Sequence, residues 1–112
     1  MPRTDDDRLA HMLEAARKAV HLLEGRTAAQ LKSDEMRALA VTHLIEILGE
    51  AAKGVLDETR AKAPEIPWMK MAATRDRLIH GYFSVDLDII WQIVSHDLPP
   101  VIESLEAVLG EQ

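Results

Sequence analysis

Apolar residues recur at intervals of three and four along almost the whole chain of 112 residues, and this spacing constrains the fold more than any other feature. Alternating runs of β-branched residues bounded by turn signals, which strands would show, are absent from the sequence. The few glycines and prolines leave only short breaks between helical segments. We therefore expect an all-α fold, an antiparallel four- to five-helix up-and-down bundle that forms a single domain over residues 1–112.

Capping residues and helix breakers set the expected ends of the first two long helices. The first should run over residues 5–23, with Thr4 as its N-cap. Residues 27–32 can form one further turn. The second long helix is expected over residues 34–62 with Ser33 as its N-cap. Its predicted core stripe is wide, which favours contacts with several neighbours, and it comprises Leu44, Ile47, Leu48, Ala51 and Val55, flanked by Val41, Ile45, Ala52 and Leu56.

Two more helices follow a proline-bounded loop. Pro67 suits the first position of a third helix, which should begin near Trp68 and end near His80. A fourth helix is expected to begin near Asp86 and to run toward the C-terminus. The pair Pro99-Pro100 lacks two N–H donors and crowds the preceding turn, so we expect a sharp kink or a break there.

The formal charge of −6 is unevenly distributed along the chain. All 13 basic residues precede residue 83, where acidic residues balance them in number. The last thirty residues contain only acidic charges, namely Asp86, Asp88, Asp97, Glu103, Glu106 and Glu111. Bulk charge therefore argues against a protein that coats nucleic acid or anionic membranes.

The sequence also excludes several other classes of protein. It has no cysteine, so neither a disulfide nor a thiolate metal site can form. The N-terminus does not read as a signal peptide, and no apolar run is long enough to span a bilayer. We expect a cytoplasmic protein that does not enter membranes.

One segment carries residues suited to chemistry on phosphate esters. It reads Arg75-Asp76-Arg77-Leu78-Ile79-His80-Gly81-Tyr82 and is locally basic. Arginine is a forked donor for phosphate oxygens, and histidine can move a proton near neutral pH. In a regular helix, however, Arg75 and His80 lie about 140° apart. Either Gly81 lets the last turn distort or a second subunit supplies the partner group; the plain alternative is a solvated helix surface.

This segment resembles the signature of the HEPN superfamily, whose ribonucleases share Arg-x(4–6)-His. The tyrosine two residues after the histidine is similar to HepT-type toxins, which carry Arg-x4-His-x-Tyr. Three other stretches also resemble that group: residues 48–52 (LGEAA), 64–68 (PEIPW) and 85–91 (VDLDIIW). The similarity reaches from the first helix to the proline pair.

The resemblance implies a homodimeric helical bundle that cleaves RNA without a metal or other cofactor, in a cleft between subunits. Arg75 and His80 would be catalytic. An MNT-type nucleotidyltransferase antitoxin would be the partner and would neutralise the toxin by adding AMP to Tyr82. The group often has Asn after the arginine, whereas this chain has Asp76, which can orient Arg75 or weaken phosphate binding.

Glu50, near the middle of the second long helix, is a supporting candidate because it could pair with Arg75 or accept a hydrogen bond from Tyr82. His43, Glu46 and Glu50 have the spacing of half a di-metal site, but the matching half is absent, so we expect no metal. Two alternatives to a ribonuclease remain open. One is a non-catalytic helical substrate-binding partner of a nucleotidyltransferase. The other is a dimeric bundle with no role in nucleic-acid binding.

Overall fold

Every regular element of the described residues is helical, which confirms the predicted all-α class. The computed structural model of the chain describes residues 4–80 and 86–110, and for residues 78–80 it describes the backbone alone. The elements are α1 (Asp5–Leu23), α2 (Ala28–Lys32), α3 (Glu35–Gly54), α4 (Asp57–Arg60), α5 (Trp68–His80), α6 (Leu87–Gln92), a π-helical turn (Ile93–Asp97) and α7 (Leu98–Leu109). None of the described helices is long and apolar enough to cross a membrane.

Both ends of α1 and the start of α5 agree with the sequence prediction. The Thr4 hydroxyl oxygen caps α1 by accepting from the Asp7 N–H at 3.1 Å, and the Asp7 carboxylate accepts from the Thr4 N–H at 3.4 Å. Gly25, with φ of +73°, follows the helix and turns the chain away. Helix α5 begins at Trp68, whose indole Nε1–H donates to the Ala63 carbonyl at 3.1 Å. These ends are set by residues close in sequence, which is why they can be predicted from it.

The predicted second helix is wrong at both ends. Its N-cap is Asp34 rather than Ser33, because the Asp34 carboxylate accepts from the Arg37 N–H at 3.1 Å. The helix stops at Gly54, eight residues early, and the short helix α4 follows. Arg60 in α4 folds back and donates to the Ala52 carbonyl at 3.1 Å, so it satisfies a carbonyl that the longer helix would have paired.

The buried face of α3 is also rotated from the predicted stripe. Its buried apolar side chains are Ala38, Val41, Ile45, Leu48 and Ala52. Leu48, and Val55 just beyond the helix, are buried as predicted. The residues expected beside them are only partly buried or lie in solvent, namely Leu44, Ala51, Ile47 and Leu56. The rotation follows from packing, since α3 contacts α1 on one side and α5 on the other.

Helix α1 packs against α3 and α7, and α3 packs against α1 and α5. Helices α1 and α3 are antiparallel. The Arg37 guanidinium near the start of α3 donates to the Leu22 carbonyl at 2.7 Å, while Gly54 at the end of α3 lies beside Arg8. Helix α5 packs on α3 and brings the basic segment against it. This pairing of α3 with α5 positions the candidate site.

The predicted break at Pro99-Pro100 is replaced by the π-helical turn Ile93–Asp97. Residues 87–109 are helical without interruption. The Leu98 N–H donates to the Ile93 carbonyl five residues back, which is the π-helical pattern. Pro99 and Pro100 then fall in the first turn of α7, the part of a helix that tolerates proline best. The chain thus passes through the proline pair by widening one turn.

Candidate functional site

The Arg75 guanidinium is held between two carboxylates at the contact of α5 with α3. Its Nη2 lies 2.8 Å from Glu50 Oε2, and its Nη1 donates to Asp76 Oδ1 at 2.9 Å. The Arg75 side chain is 24% exposed, whereas that of Glu50 is 65% exposed. The structure therefore brings together three of the residues singled out in the sequence, with Glu50 in contact with Arg75 as that prediction allowed.

Gly49 sets how closely α5 approaches α3 at this point. A Cβ added to Gly49 would overlap the Arg75 Cβ and lie only 2.7 Å from the Met71 carbonyl oxygen. The absence of a side chain thus allows the Arg75 backbone to rest directly on α3. Arg75 is therefore the residue that Gly49 accommodates.

Lys53 is a further charged neighbour that the sequence prediction missed. Its Nζ lies 3.5 Å from Asp76 Oδ1, the oxygen that also accepts from Arg75. The hydrogen bond from Arg75, together with the positive charges of Lys53 and Arg75, holds the pKa of the Asp76 carboxyl below its ordinary value. A signal was present, because Lys53 follows Glu50 by three residues and therefore shares its helix face.

An open groove of about 620 Å³ runs beside Arg75 between α1 and α3. Its lining contains both ionisable and apolar residues. It is lined by Arg8, His11, His43, Glu46, Ile47, Glu50, Ala51, Gly54 and Arg75. We call it the α1–α3 groove. A volume of this size lies in the range of pockets that hold small molecules, so Arg75 stands at the edge of a space that a nucleotide could enter.

His80 is the last residue of α5, and its side chain lies outside the described part of the structure. Since α5 is helical as far as His80, the backbone keeps Arg75 and His80 about 140° apart around the helix axis. The alternative in which α5 distorts before His80 is therefore not observed. Tyr82, the predicted site of AMP addition, lies outside the described residues, as does Gly81.

The residues considered for a metal site, His43, Glu46 and Glu50, are not arranged as ligands of one metal ion. His43 Nδ1 lies 3.8 Å from Glu46 Oε2, while Glu50 is occupied by Arg75. Over residues 4–77 and 86–110, whose side chains the structure describes, no group of three His, Asp or Glu side chains is placed to hold a metal ion. Glu50 on α3 instead serves as a partner of the Arg75 guanidinium.

Comparison with known proteins identifies the family. Residues 12–108 match the model of the family described as ribonuclease HepT-like. A probable ribonuclease HepT of Thermococcus cleftensis is 38% identical over 91 residues, which cover 78% of this chain and 83% of that protein. A putative RNase of Methanocaldococcus jannaschii is 32% identical over 112 residues, which cover 99% of this chain and 93% of that protein. No solved structure gives a significant match. The chain therefore belongs to the ribonuclease HepT-like family.

Proposed function

We propose that this protein is a toxin-type endoribonuclease that cleaves RNA without a metal ion, with Arg75 and His80 as its catalytic residues. The observation that carries the proposal is the Arg75 guanidinium, fixed by Glu50 and Asp76 at the edge of the open α1–α3 groove. Membership of the ribonuclease HepT-like family supports the same reaction class.

The reaction follows from the chemistry of the two residues. The ribose 2′-oxygen attacks the adjacent phosphorus, and the bond from phosphorus to the 5′-oxygen breaks. His80 takes the 2′-hydroxyl proton or supplies the proton that the leaving 5′-oxygen needs. Arg75 donates to the non-bridging oxygens, whose charge grows in the transition state. The products are a 2′,3′-cyclic phosphate and a 5′-hydroxyl.

Glu50 and Asp76 are proposed to position Arg75. An arginine carries five N–H donors in one plane, and the two observed contacts leave others for a phosphate. Two carboxylates that grip the guanidinium from different elements reduce the number of rotamers it can adopt. A fixed donor loses less conformational entropy when the substrate arrives.

We propose that the active form is a homodimer, in which Arg75 of one copy works with His80 of the other. The separation of about 140° on α5 supports this arrangement, since one helix cannot easily direct both side chains at one phosphate.

The dimer surface that we propose is the outer face of α3. Met36, Leu39 and Ile47 are large apolar residues that are 77%, 60% and 38% exposed. They fall within a sector of about 80° around the helix, and Glu50 with its bound Arg75 continues the same face. A second copy is the occupant we propose. Glu50 on this face is paired with Arg75 within one chain, which reduces the charge that two copies would bring together there.

We further propose that an MNT-type nucleotidyltransferase antitoxin inactivates the enzyme by transferring AMP to Tyr82. The motif spacing Arg75-x4-His80-x-Tyr82 supports this assignment. An added phosphate two residues from His80 would repel RNA and compete for Arg75.

The deciding experiment is cleavage of a mixed RNA substrate in the presence of EDTA. Wild-type protein is compared with Arg75→Ala, His80→Ala and Arg77→Ala, the last an exposed arginine on the same helix that serves as a matched control. We expect cleavage to be lost in the first two variants and kept in the third. Equal cleavage by wild type and His80→Ala would remove His80 from the mechanism. An inactive wild type that is still modified on Tyr82 would favour the non-catalytic partner role.

The shared cleft is tested by mixing two inactive variants. Arg75→Ala and His80→Ala subunits should together regain part of the wild-type rate, because a mixed dimer keeps one intact pair. Leu39→Glu should give a monomer in light scattering, whereas Met69→Glu, which alters another highly exposed apolar residue, should not. A dimeric Leu39→Glu protein would exclude the α3 face as the interface.

A further inference from the structure

We propose that Lys53 is a positioning residue of the same site, which acts through Asp76 to keep Arg75 available to a phosphodiester. This inference rests on the proposed ribonuclease function and extends it to a residue outside the Arg-x4-His-x-Tyr motif. It also accounts for an aspartate at the position after the motif arginine.

Four charged side chains form a continuous chain across the contact of α3 with α5. Glu50 Oε2 meets Arg75 Nη2 at 2.8 Å, Arg75 Nη1 donates to Asp76 Oδ1 at 2.9 Å, and Lys53 Nζ lies 3.5 Å from that same oxygen. Helix α3 supplies the first and last members, three residues apart. Helix α5 supplies the two central members, which are adjacent in sequence.

The signs of the charges explain why Lys53 matters. Without Lys53, one guanidinium would stand between two carboxylates, and the cluster would have a net charge of −1. An approaching phosphodiester, itself negative, would then meet repulsion at the residue meant to bind it. With Lys53 the four charges sum to zero. Lys53 therefore offsets the negative charge that Asp76 brings to the site.

Lys53 also competes with Arg75 for one oxygen of the Asp76 carboxylate. Because Asp76 Oδ1 is shared between Lys53 and Arg75, the carboxylate holds the guanidinium less tightly than it would alone. The Arg75 N–H groups that face neither carboxylate can then meet a phosphate, and a small adjustment of the guanidinium toward it leaves Asp76 paired with Lys53. The Lys53 side chain is 54% exposed, so it can follow the Asp76 carboxylate through that adjustment.

A purely structural role is a poor explanation of the Lys53–Asp76 pair. Both side chains are about half exposed, and ion pairs of this kind contribute little to stability. We therefore expect Lys53→Ala to leave the unfolding midpoint unchanged and to alter catalysis instead.

The test is a double-mutant cycle on RNA cleavage. Lys53→Ala should raise KM about tenfold and change kcat less in the native chain, but it should change KM less than about twofold in the Asp76→Asn chain. Lys53→Arg should restore most of the loss. Lys70→Ala is the matched control, because it removes another exposed lysine paired with an aspartate, at 3.2 Å from Asp97. An equal loss in both backgrounds would mean that Lys53 binds RNA directly, and no loss in either would reduce it to a surface ion pair; both results overturn the proposal.

A second measurement does not depend on cleavage. The titration of the Asp76 carboxyl, followed by NMR, should shift toward its ordinary pKa in Lys53→Ala and stay unchanged in Lys70→Ala. A 2′-deoxy oligonucleotide cannot be cleaved through its 2′-position. Its binding should weaken in Lys53→Ala and stay unchanged in Lys70→Ala. If wild-type protein cleaves no RNA but both responses are seen, the ribonuclease function fails and the role of Lys53 stands. Absence of both responses overturns the role of Lys53 whatever the protein cleaves.

Discussion

Replacement of Gly49 by alanine should separate the stability of the bundle from the geometry of its site. The new Cβ would overlap the Arg75 Cβ and lie 2.7 Å from the Met71 carbonyl oxygen, whereas non-bonded heavy atoms prefer about 3.5–4.0 Å. Both groups belong to the body of α5 rather than to a flexible side-chain end. Helix α5 must therefore move away from α3 by about 1 Å.

The free-energy change has two opposing parts. Overpacking costs about 1–3 kcal/mol, and alanine regains up to about 1 kcal/mol of helix propensity over glycine. We expect a net loss of about 1–2 kcal/mol in the free energy of unfolding. A shift of about 1 Å at a catalytic residue reduces rates by about 100-fold, so cleavage should fall well beyond what the lost stability explains.

Gly54→Ala is the matched control within the same helix. Its Cβ would meet the Arg8 Nε at 2.8 Å, which is the movable end of a long side chain. This variant should unfold in urea within about 0.5 kcal/mol of wild type. Urea unfolding followed by circular dichroism measures the stability. A cleavage assay without denaturant, at a temperature well below the thermal unfolding midpoint, measures the activity. A Gly49→Ala protein as stable and as active as wild type would refute the close approach of α5 to α3.

Two further predictions concern the stability of the bundle. Trp68→Phe removes the buried hydrogen bond from the indole to the Ala63 carbonyl and should lower the free energy of unfolding by about 1 kcal/mol, measured in urea; an unchanged midpoint would contradict that bond. The pKa values of Asp5, Asp34 and Asp76 are lowered from 3.8 in the folded chain, so their contribution to stability is present above pH 3.8 and is lost as the pH falls through the folded values. Thermal unfolding from about pH 6 to about pH 3 should show this loss, and Asp34→Asn, which keeps an N-cap, should weaken the acid dependence; an identical acid dependence in that variant would contradict the assignment.

Features set by neighbours in sequence could be predicted from it. The Thr4 cap and the start of α5 at Trp68 depend on residues within one turn, and both agree with the structure. Arg75 was one of the two partners, with Tyr82, that the sequence offered for the Glu50 carboxylate. It could be anticipated because a carboxylate and a guanidinium on neighbouring helices form a strong charge-assisted hydrogen bond.

Features set by tertiary contacts could not be predicted in the same way. The chain beyond Gly54 keeps a helical pattern, and α3 ends through contacts that the pattern does not report: Arg60 returns to the Ala52 carbonyl, and the Leu56 N–H donates to Asp5 of α1. The role of Lys53 depends on how α5 is rotated on α3, which Gly49 fixes by contact. No periodicity in a single helix reports that rotation. The roles of His80 and Tyr82 stay predictions from the motif.

The π-helical turn Ile93–Asp97 has a consequence for the length of the chain. A π turn contains one residue more than an α turn but covers nearly the same rotation about the helix axis, so it absorbs the extra residue locally. Deleting one residue there would convert it into an α turn and leave α7 in nearly its present orientation. Leu105 would then stay in the core, and Glu106 would keep its contact of 2.7 Å with Arg17 on α1. A one-residue deletion between residues 98 and 104 would instead rotate the rest of the helix by about 100°. The π turn is therefore the place where this helix can lose one residue while its packing is kept.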